Sequence, residues 1–305
     1  MEVVMSNNHI RQKAALFVLL GQSNATGYAV PMREEDYITQ PLKNVFGLNR
    51  SHNQSFDNTE LIWSGYTSHG MNLAEEYDNS YSVANCLASL WQEHIDHGNR
   101  CSLPDLYIIQ ISIGAQGVTG KYMWNPMYDK RLIPGSLGTV DISLLSFTEH
   151  ILSLVPASFD QRGLAYDTIG IHWRGGENDI AEQKDILENT LEPIYHEIFD
   201  QLNALLGSSP IILHKIVCHD RANDLDPTGF QSANIHYVNR VFGKLCASYH
   251  NISMFDPQNY PGFVPGVYRN GLFIGDAVHF TEDVNRWTAK CILEDYAEKR
   301  SQSQK

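Results

Sequence analysis

Apolar residues in this chain come in short continuous runs rather than in alternation with polar ones. Runs rich in Ile, Leu and Val occupy 14–20, 106–113, 168–172 and 211–217, with a weaker one at 251–255. Continuous apolarity over so few residues suits strands covered on both faces. Between the runs the spacing turns helical. Val83, Leu87, Leu90 and Trp91 share one face, as do Ile186, Leu187, Leu191, Ile194 and Ile198, while Trp287, Ile292 and Tyr296 mark a last helix within 281–299. Strands alternating with helices predict an α/β fold, a parallel sheet with helices on both sides, in one doubly wound domain spanning 1–305.

Two segments break this rhythm, 32–81 and 120–141, both rich in Asn, Gly, Pro, Tyr and Trp. Structureless segments of that length inside a compact domain are usually functional. Their aromatic residues, among them Trp63, Tyr66, Tyr122 and Trp124, predict ordered loops. In parallel sheets ligands bind beyond the carboxyl ends of the strands. The loops after 14–20 and 106–113 are therefore expected to line a cleft, where His52, His69 and these aromatics either face a bound ligand or pack the loops together.

Composition narrows the function. The 305 residues include 43% hydrophobic and 19% charged ones, the balance of a folded globular protein. A formal net charge of -13 argues against a nucleic-acid partner, because that affinity comes from Lys and Arg neutralising phosphates. The first apolar run ends in Gly21-Gln22-Ser23-Asn24 rather than a small-residue cleavage site, so it reads as a strand and not a signal sequence. No run approaches the roughly 20 apolar residues of a membrane span. The five cysteines show no CxxC spacing; with no disulfide scaffold indicated, a cytoplasmic location is expected.

Four places carry candidate chemistry. Ser23 follows the first strand directly, between Gly21 and Gly27, where a nucleophile would stand at the sheet's edge; the plain alternative is a helix N-cap. In GDAVHF, Asp276 precedes His279 by three residues. A serine nucleophile needs an imidazole to accept its proton and a carboxylate to orient that imidazole, and this loop offers both. An isolated pair of this kind is otherwise a helix-entry Asp beside a surface His. After the strand ending near His172 come Gly176, Glu177, Asn178 and Asp179, where an Asn amide could donate to an oxyanion or simply form a turn. After the strand at 106–113, IGAQG places Gly114 and Gly117 where a backbone N–H could approach a substrate. Clustered His and Asp residues or an HExxH pattern, which metal-dependent hydrolysis would call for, are absent from the sequence, and no cofactor or metal is expected.

Together, and in this order, the four blocks resemble those of the SGNH hydrolases. GQSN resembles the serine block, IGAQG the glycine block, GEND the GxND block and DAVH the final DxxH block, over 17–287. GQSN in place of GDS resembles the branch of sialate O-acetylesterases and plant-type acetyl xylan esterases. The resemblance implies a flavodoxin-like three-layer α/β/α sandwich with a mainly parallel five-stranded sheet. It also implies a catalytic triad of Ser23, Asp276 and His279, with an oxyanion hole drawn from Ser23, Gly114 and Asn178. Gln22, Gly117, Trp124, Arg174 and Glu177 are candidates for substrate contact or support. The expected partner is an acetylated carbohydrate or another small ester. The branch usually shows W-x-Q-G-E-S-D, whereas this chain has Gly175 in place of the glutamine and Asn178 in place of the serine. Its glycine block has Gly114, Ala115 and Gln116 rather than Gly-Gly-Thr. The competing expectation is a carbohydrate-binding or structural module without turnover, which would have no need to keep Ser23, Asp276 and His279 together.

Overall fold

A strand whose two faces are both covered has no polar side to show, and the first apolar run is such a strand. In the computed structural model, which describes residues 12–28, 30, 32–74, 80–98, 103–130, 141–216, 230–263, 267–269, 272–274 and 279–303, Gln12–Gly21 forms β1, buried from Ala14 onward. Ala14, Leu16, Val18 and Leu20 enter one apolar cluster, and Ala15, Phe17 and Leu19 enter another on the opposite face. The pleat sends successive side chains to opposite faces, so an unbroken apolar run is what this position requires.

The elements follow in the order β1, a short α1 (Ser23–Thr26), β2 (Val45–Leu48), α2 (Arg50–Asn53), β3 (Trp63–Gly65), α3 (Val83–Asp96), β4 (Leu106–Ser112), α4 (Leu144–Gln161), β5 (Leu164–Arg174), α5 (Lys184–Leu206), β6 (Ile211–His214), α6 (Phe230–Ser248), β7 (Ile252–Phe255), the hairpin strands β8 (Val267–Arg269) and β9 (Leu272–Ile274), and α7 (Glu282–Ser303). The main sheet has the order β3-β2-β4-β1-β5-β6-β7. Every neighbouring pair is parallel except β2 and β3. Residues of α4, α5 and α6 join the cluster on one face, and residues of α3 and α7 the cluster on the other.

The sheet therefore has seven strands rather than the five expected. The five apolar runs became β1, β4, β5, β6 and β7; the additional β2 and β3 lie in the 32–81 segment. β2 spans four residues and β3 three, too short to stand out among Asn, Gly and aromatic neighbours. Tertiary contacts hold them in place of local pattern. Trp63 of β3 donates its indole N–H to Ser158 Oγ of α4 at 2.8 Å and packs edge-on against Tyr107.

The helices form where the spacing predicts. α3 begins with a capping box in which Ser82 accepts from the Asn85 N–H and Asn85 from the Ser82 N–H. In α5, Leu187, Leu191, Ile198, Phe199 and Leu202 form the buried face, while Ile186 points outward at 39% exposure. No described helix is long and apolar enough to cross a membrane.

β1 sits between β4 and β5, and the chain builds the β4 side of the sheet before crossing to the β5 side. The crevice beyond its carboxyl end is thus the switch point of the sheet, the usual ligand position in this architecture. Its geometry there is tight. Gly21 pairs with Arg174 of β5, adopts φ +138°, and a Cβ at this position would lie 2.0 Å from the Arg174 carbonyl oxygen. Gly21→Ala is expected to cost about 3 kcal/mol or more through backbone strain and displacement of β5. Thermal unfolding checks this, and an unchanged midpoint would contradict so close an approach of the two strands.

Candidate active site

The chain leaves β1 through Gly21 and Gln22 and turns at once into α1, whose first residue is Ser23. Gln22 holds the turn from both sides: its N–H donates to the Arg174 carbonyl at 2.9 Å, and its own carbonyl accepts from Ala25 and Thr26. Gly27 closes α1 in the left-handed conformation, its N–H donating to the Ser23 carbonyl. From below, Gln110 of β4 donates to the Ala25 carbonyl at 2.9 Å. Ser23 is thus held on a short turn above the sheet and is itself 7% exposed.

From the other end of the sequence comes His279, just ahead of α7. Its Nε2 lies 3.0 Å from Ser23 Oγ, a hydrogen bond that the hydroxyl donates in the tautomer carrying its proton on Nδ1. The Tyr28 ring rests against the imidazole with centroids 5.1 Å apart. Asp276, expected to orient this imidazole, lies outside the described residues.

Asn24, next to Ser23, joins three segments. Its Oδ1 accepts from the Phe280 N–H at 3.1 Å, its Nδ2 donates to Glu177 Oε1 at 2.6 Å, and its carbonyl accepts from Arg174 Nη1 at 2.9 Å. The same Nη1 donates to Asn285 Oδ1 at 2.8 Å, and Asn285 donates to the Tyr81 carbonyl at 3.0 Å. The guanidinium carbon also sits 4.7 Å from the centroid of the Phe280 ring. Burial pulls Arg174 down to about 10, with Glu177 opposing the shift, so the group stays charged at neutral pH. Burial and then the Arg174 charge bring His172, hydrogen-bonded to His214, down to about 3, which keeps that imidazole neutral.

The glycine block and the GEND block are held together by Asp179. Its Oδ1 accepts from the N–H groups of Val118 and Thr119, each at 3.0 Å, and from the Thr119 hydroxyl at 2.8 Å. Gly117 makes this possible, since a Cβ there would lie 2.4 Å from the same oxygen. Gly114 is half-buried in the turn that follows β4, and Ala115 beside it is left-handed at φ 58°. Asn178 is half-buried; its N–H faces Gln22 Oε1 at 3.4 Å, and its side chain caps nothing in the 3-10 turn that it begins.

Of the residues proposed for contact or support, Gln22, Trp124 and Arg174 are each 1% exposed and Glu177 is 9% exposed. Trp124 donates its indole N–H to the Gly21 carbonyl at 3.0 Å and packs edge-on against Trp173. Trp63 and Tyr66 are likewise buried. These three pack the loops, whereas Tyr122 is half-buried and His52 and His69 are exposed. The first insertion is tied to α7: Arg286 binds Asp36, donates to Glu282 Oε1 at 2.8 Å and covers the Tyr81 ring. Sequence reasoning missed Asn24, Tyr28, Phe280 and Asn285 as participants. Asn24 and Phe280 adjoin Ser23 and His279 and could have been found by adjacency; Tyr28 and Asn285 carry no local signal.

No family model and no curated protein matches the sequence. Solved structures match the fold. A protein from Arabidopsis thaliana is similar at a TM-score of 0.53 and 14% identity, over 92% of this chain and 98% of that one. NanS is similar at a TM-score of 0.56 and 13% identity, over 94% and 99%. At such identities the likeness establishes the fold.

Burial pushes the Asp179 carboxyl up to about 6 against the hydrogen bonds it accepts. The folded state therefore holds this proton more tightly than the unfolded chain, whose Asp titrates near 3.9. The stability that this group contributes is full below pH 4 and is lost as pH rises to about 6. Asp179→Asn keeps an oxygen for the Val118 and Thr119 donors without the charge. It is expected to match wild type near pH 4 and to exceed it above pH 6.5, by up to about 3 kcal/mol. Denaturant unfolding across this range checks it; a variant that loses stability relative to wild type as pH rises would refute the assignment.

Proposed function

We propose that the chain is a serine esterase of the SGNH hydrolase type that removes O-acetyl groups from a carbohydrate. The observation carrying this reading is the Ser23 Oγ to His279 Nε2 contact of 3.0 Å, made at the switch point of a parallel sheet by two residues that resemble the serine and DxxH blocks. Ser23 Oγ attacks the acetyl carbonyl while His279 Nε2 takes its proton. The tetrahedral intermediate collapses to an acetyl-enzyme as His279 returns that proton to the sugar oxygen. Water, deprotonated by the same imidazole, then releases acetate and restores Ser23. Asp276 would hold Nδ1–H and stabilise the imidazolium.

The oxyanion needs donors, and Gly175 offers no side chain where related esterases carry glutamine. We assign the side-chain donor to Asn178, with the N–H groups of Ser23 and Gly114 completing the set. An Asn178 side chain without a capping bond is consistent with this role. The preference for acetyl groups on sugars rests on the resemblance of GQSN to the acetylesterase branch.

Hydrolysis of p-nitrophenyl acetate tests the class. Ser23→Ala is expected to lose turnover with an unchanged thermal midpoint, retaining at most roughly 10³ to 10⁴ over water, and a serine-directed phosphonate should label Ser23. A folded wild type without turnover would favour a binding module. Asn178→Ala should lower kcat by roughly 10² to 10³ with KM nearly unchanged. Wild-type kcat with a lowered midpoint would instead make Asn178 a structural residue.

A further inference from the structure

We infer that Arg174 is a positioning residue: its guanidinium is the spacer that sets the distance between Ser23 and His279. The inference rests on the esterase reading above and deepens it. Arg174 is 1% exposed and stands at the carboxyl end of β5, its backbone paired with Gly21. Through Nη1 it holds the carbonyl of Asn24, the residue after Ser23, at 2.9 Å. Its guanidinium carbon also lies over the ring of Phe280, the residue after His279, 4.7 Å from the ring centroid. One rigid planar group thus touches the immediate neighbour of each member of the pair. Its second Nη1 bond, 2.8 Å to Asn285 Oδ1, fixes the first turns of α7, from which the His279 loop departs.

Among the described residues the guanidinium hydrogen-bonds through Nη1, to the Asn24 carbonyl and to Asn285 Oδ1. What the arrangement provides is a cation that hydrogen-bonds through Nη1 and lies over an aromatic ring at once. A lysine ammonium, a point charge on a flexible stem, cannot do both.

Two kinds of readout test this. In Arg174→Lys, kcat on p-nitrophenyl acetate is expected to fall roughly 10-fold, and in Arg174→Met roughly 100-fold, with KM within about threefold, the loss expected of a misplacement near 1 Å. Phe280→Leu, which leaves the guanidinium and its hydrogen bonds in place, should reproduce part of the loss. The Arg174→Met effect should shrink in the Phe280→Leu background, because the two act through one contact. Independently of turnover, the ring resonance of His279, identified by its absence in His279→Asn, should shift in Arg174→Lys while the thermal midpoint stays within a few degrees. Wild-type kcat and an unmoved resonance in a folded Arg174 variant would overturn the inference, as would a kcat loss that merely follows a fall in midpoint. If Arg174→Met does not fold, Arg174→Lys and Phe280→Leu carry the same test. A wild type without turnover whose His279 resonance still answers to Arg174 would end the esterase reading and leave the positioning role standing.

Discussion

Asn24 is where the molecule is tied together. Its side chain and carbonyl bond to segments that leave β5, that precede α7, and that lie along β5 itself. It is 4% exposed, so any of these bonds left unmade would strand a buried polar atom at about 1–3 kcal/mol. The three segments therefore meet at one residue, and hydrogen bonds in such a buried network strengthen one another. Since Asn24 follows Ser23 directly, the location of the serine hydroxyl is a property of the whole sheet rather than of its own turn.

Beneath that junction the architecture is plain hydrophobic layering. β1 is apolar on both faces because helices cover both, and its carboxyl end is the first place where polar groups can gather. The cost of gathering them is visible in the shifts: burial raises Asp179 to about 6 and lowers Arg174 to about 10. Apolar side chains of equal volume would carry no such penalty. In return the polar groups give direction. Asp179 aims the Val118 and Thr119 amides and so shapes the loop after β4, while Asn24 aims the turn after β1.

Much of this was legible in the sequence. The five apolar runs marked the central strands because burial on both faces leaves a continuous pattern, and three of the motif blocks follow β1, β4 and β5 of the main sheet, whereas the DAVH block follows β9 of the separate hairpin. β2 and β3 were invisible for the converse reason: strands of four and three residues held by contacts such as Trp63 to Ser158 leave no periodic trace. The approach of Ser23 to His279 followed from the motifs. The network behind it did not, because Arg174, Phe280 and Asn285 meet only after the chain has crossed the sheet. The aromatic residues of the insertions were ambiguous in sequence, since a ring that lines a cleft and a ring that packs a loop have the same composition. Trp63, Tyr66 and Trp124 are buried and pack the loops, while His52 and His69 are exposed.

Ser23 and His279 stand 256 residues apart along the chain. During synthesis, which runs from the amino end at about 5–20 residues per second, β1 and its serine emerge first and wait for nearly the whole chain. Until α7 has been made and has docked, Ser23 is an ordinary hydroxyl with no imidazole beside it. Closing a loop of this length is entropically expensive, and such distant contacts form late in folding. The pair is thus a late contact: a nascent or locally opened chain carries Ser23 without His279 beside it. The 3.0 Å contact of Ser23 with His279 thus exists only once the segments that carry them have met across the sheet.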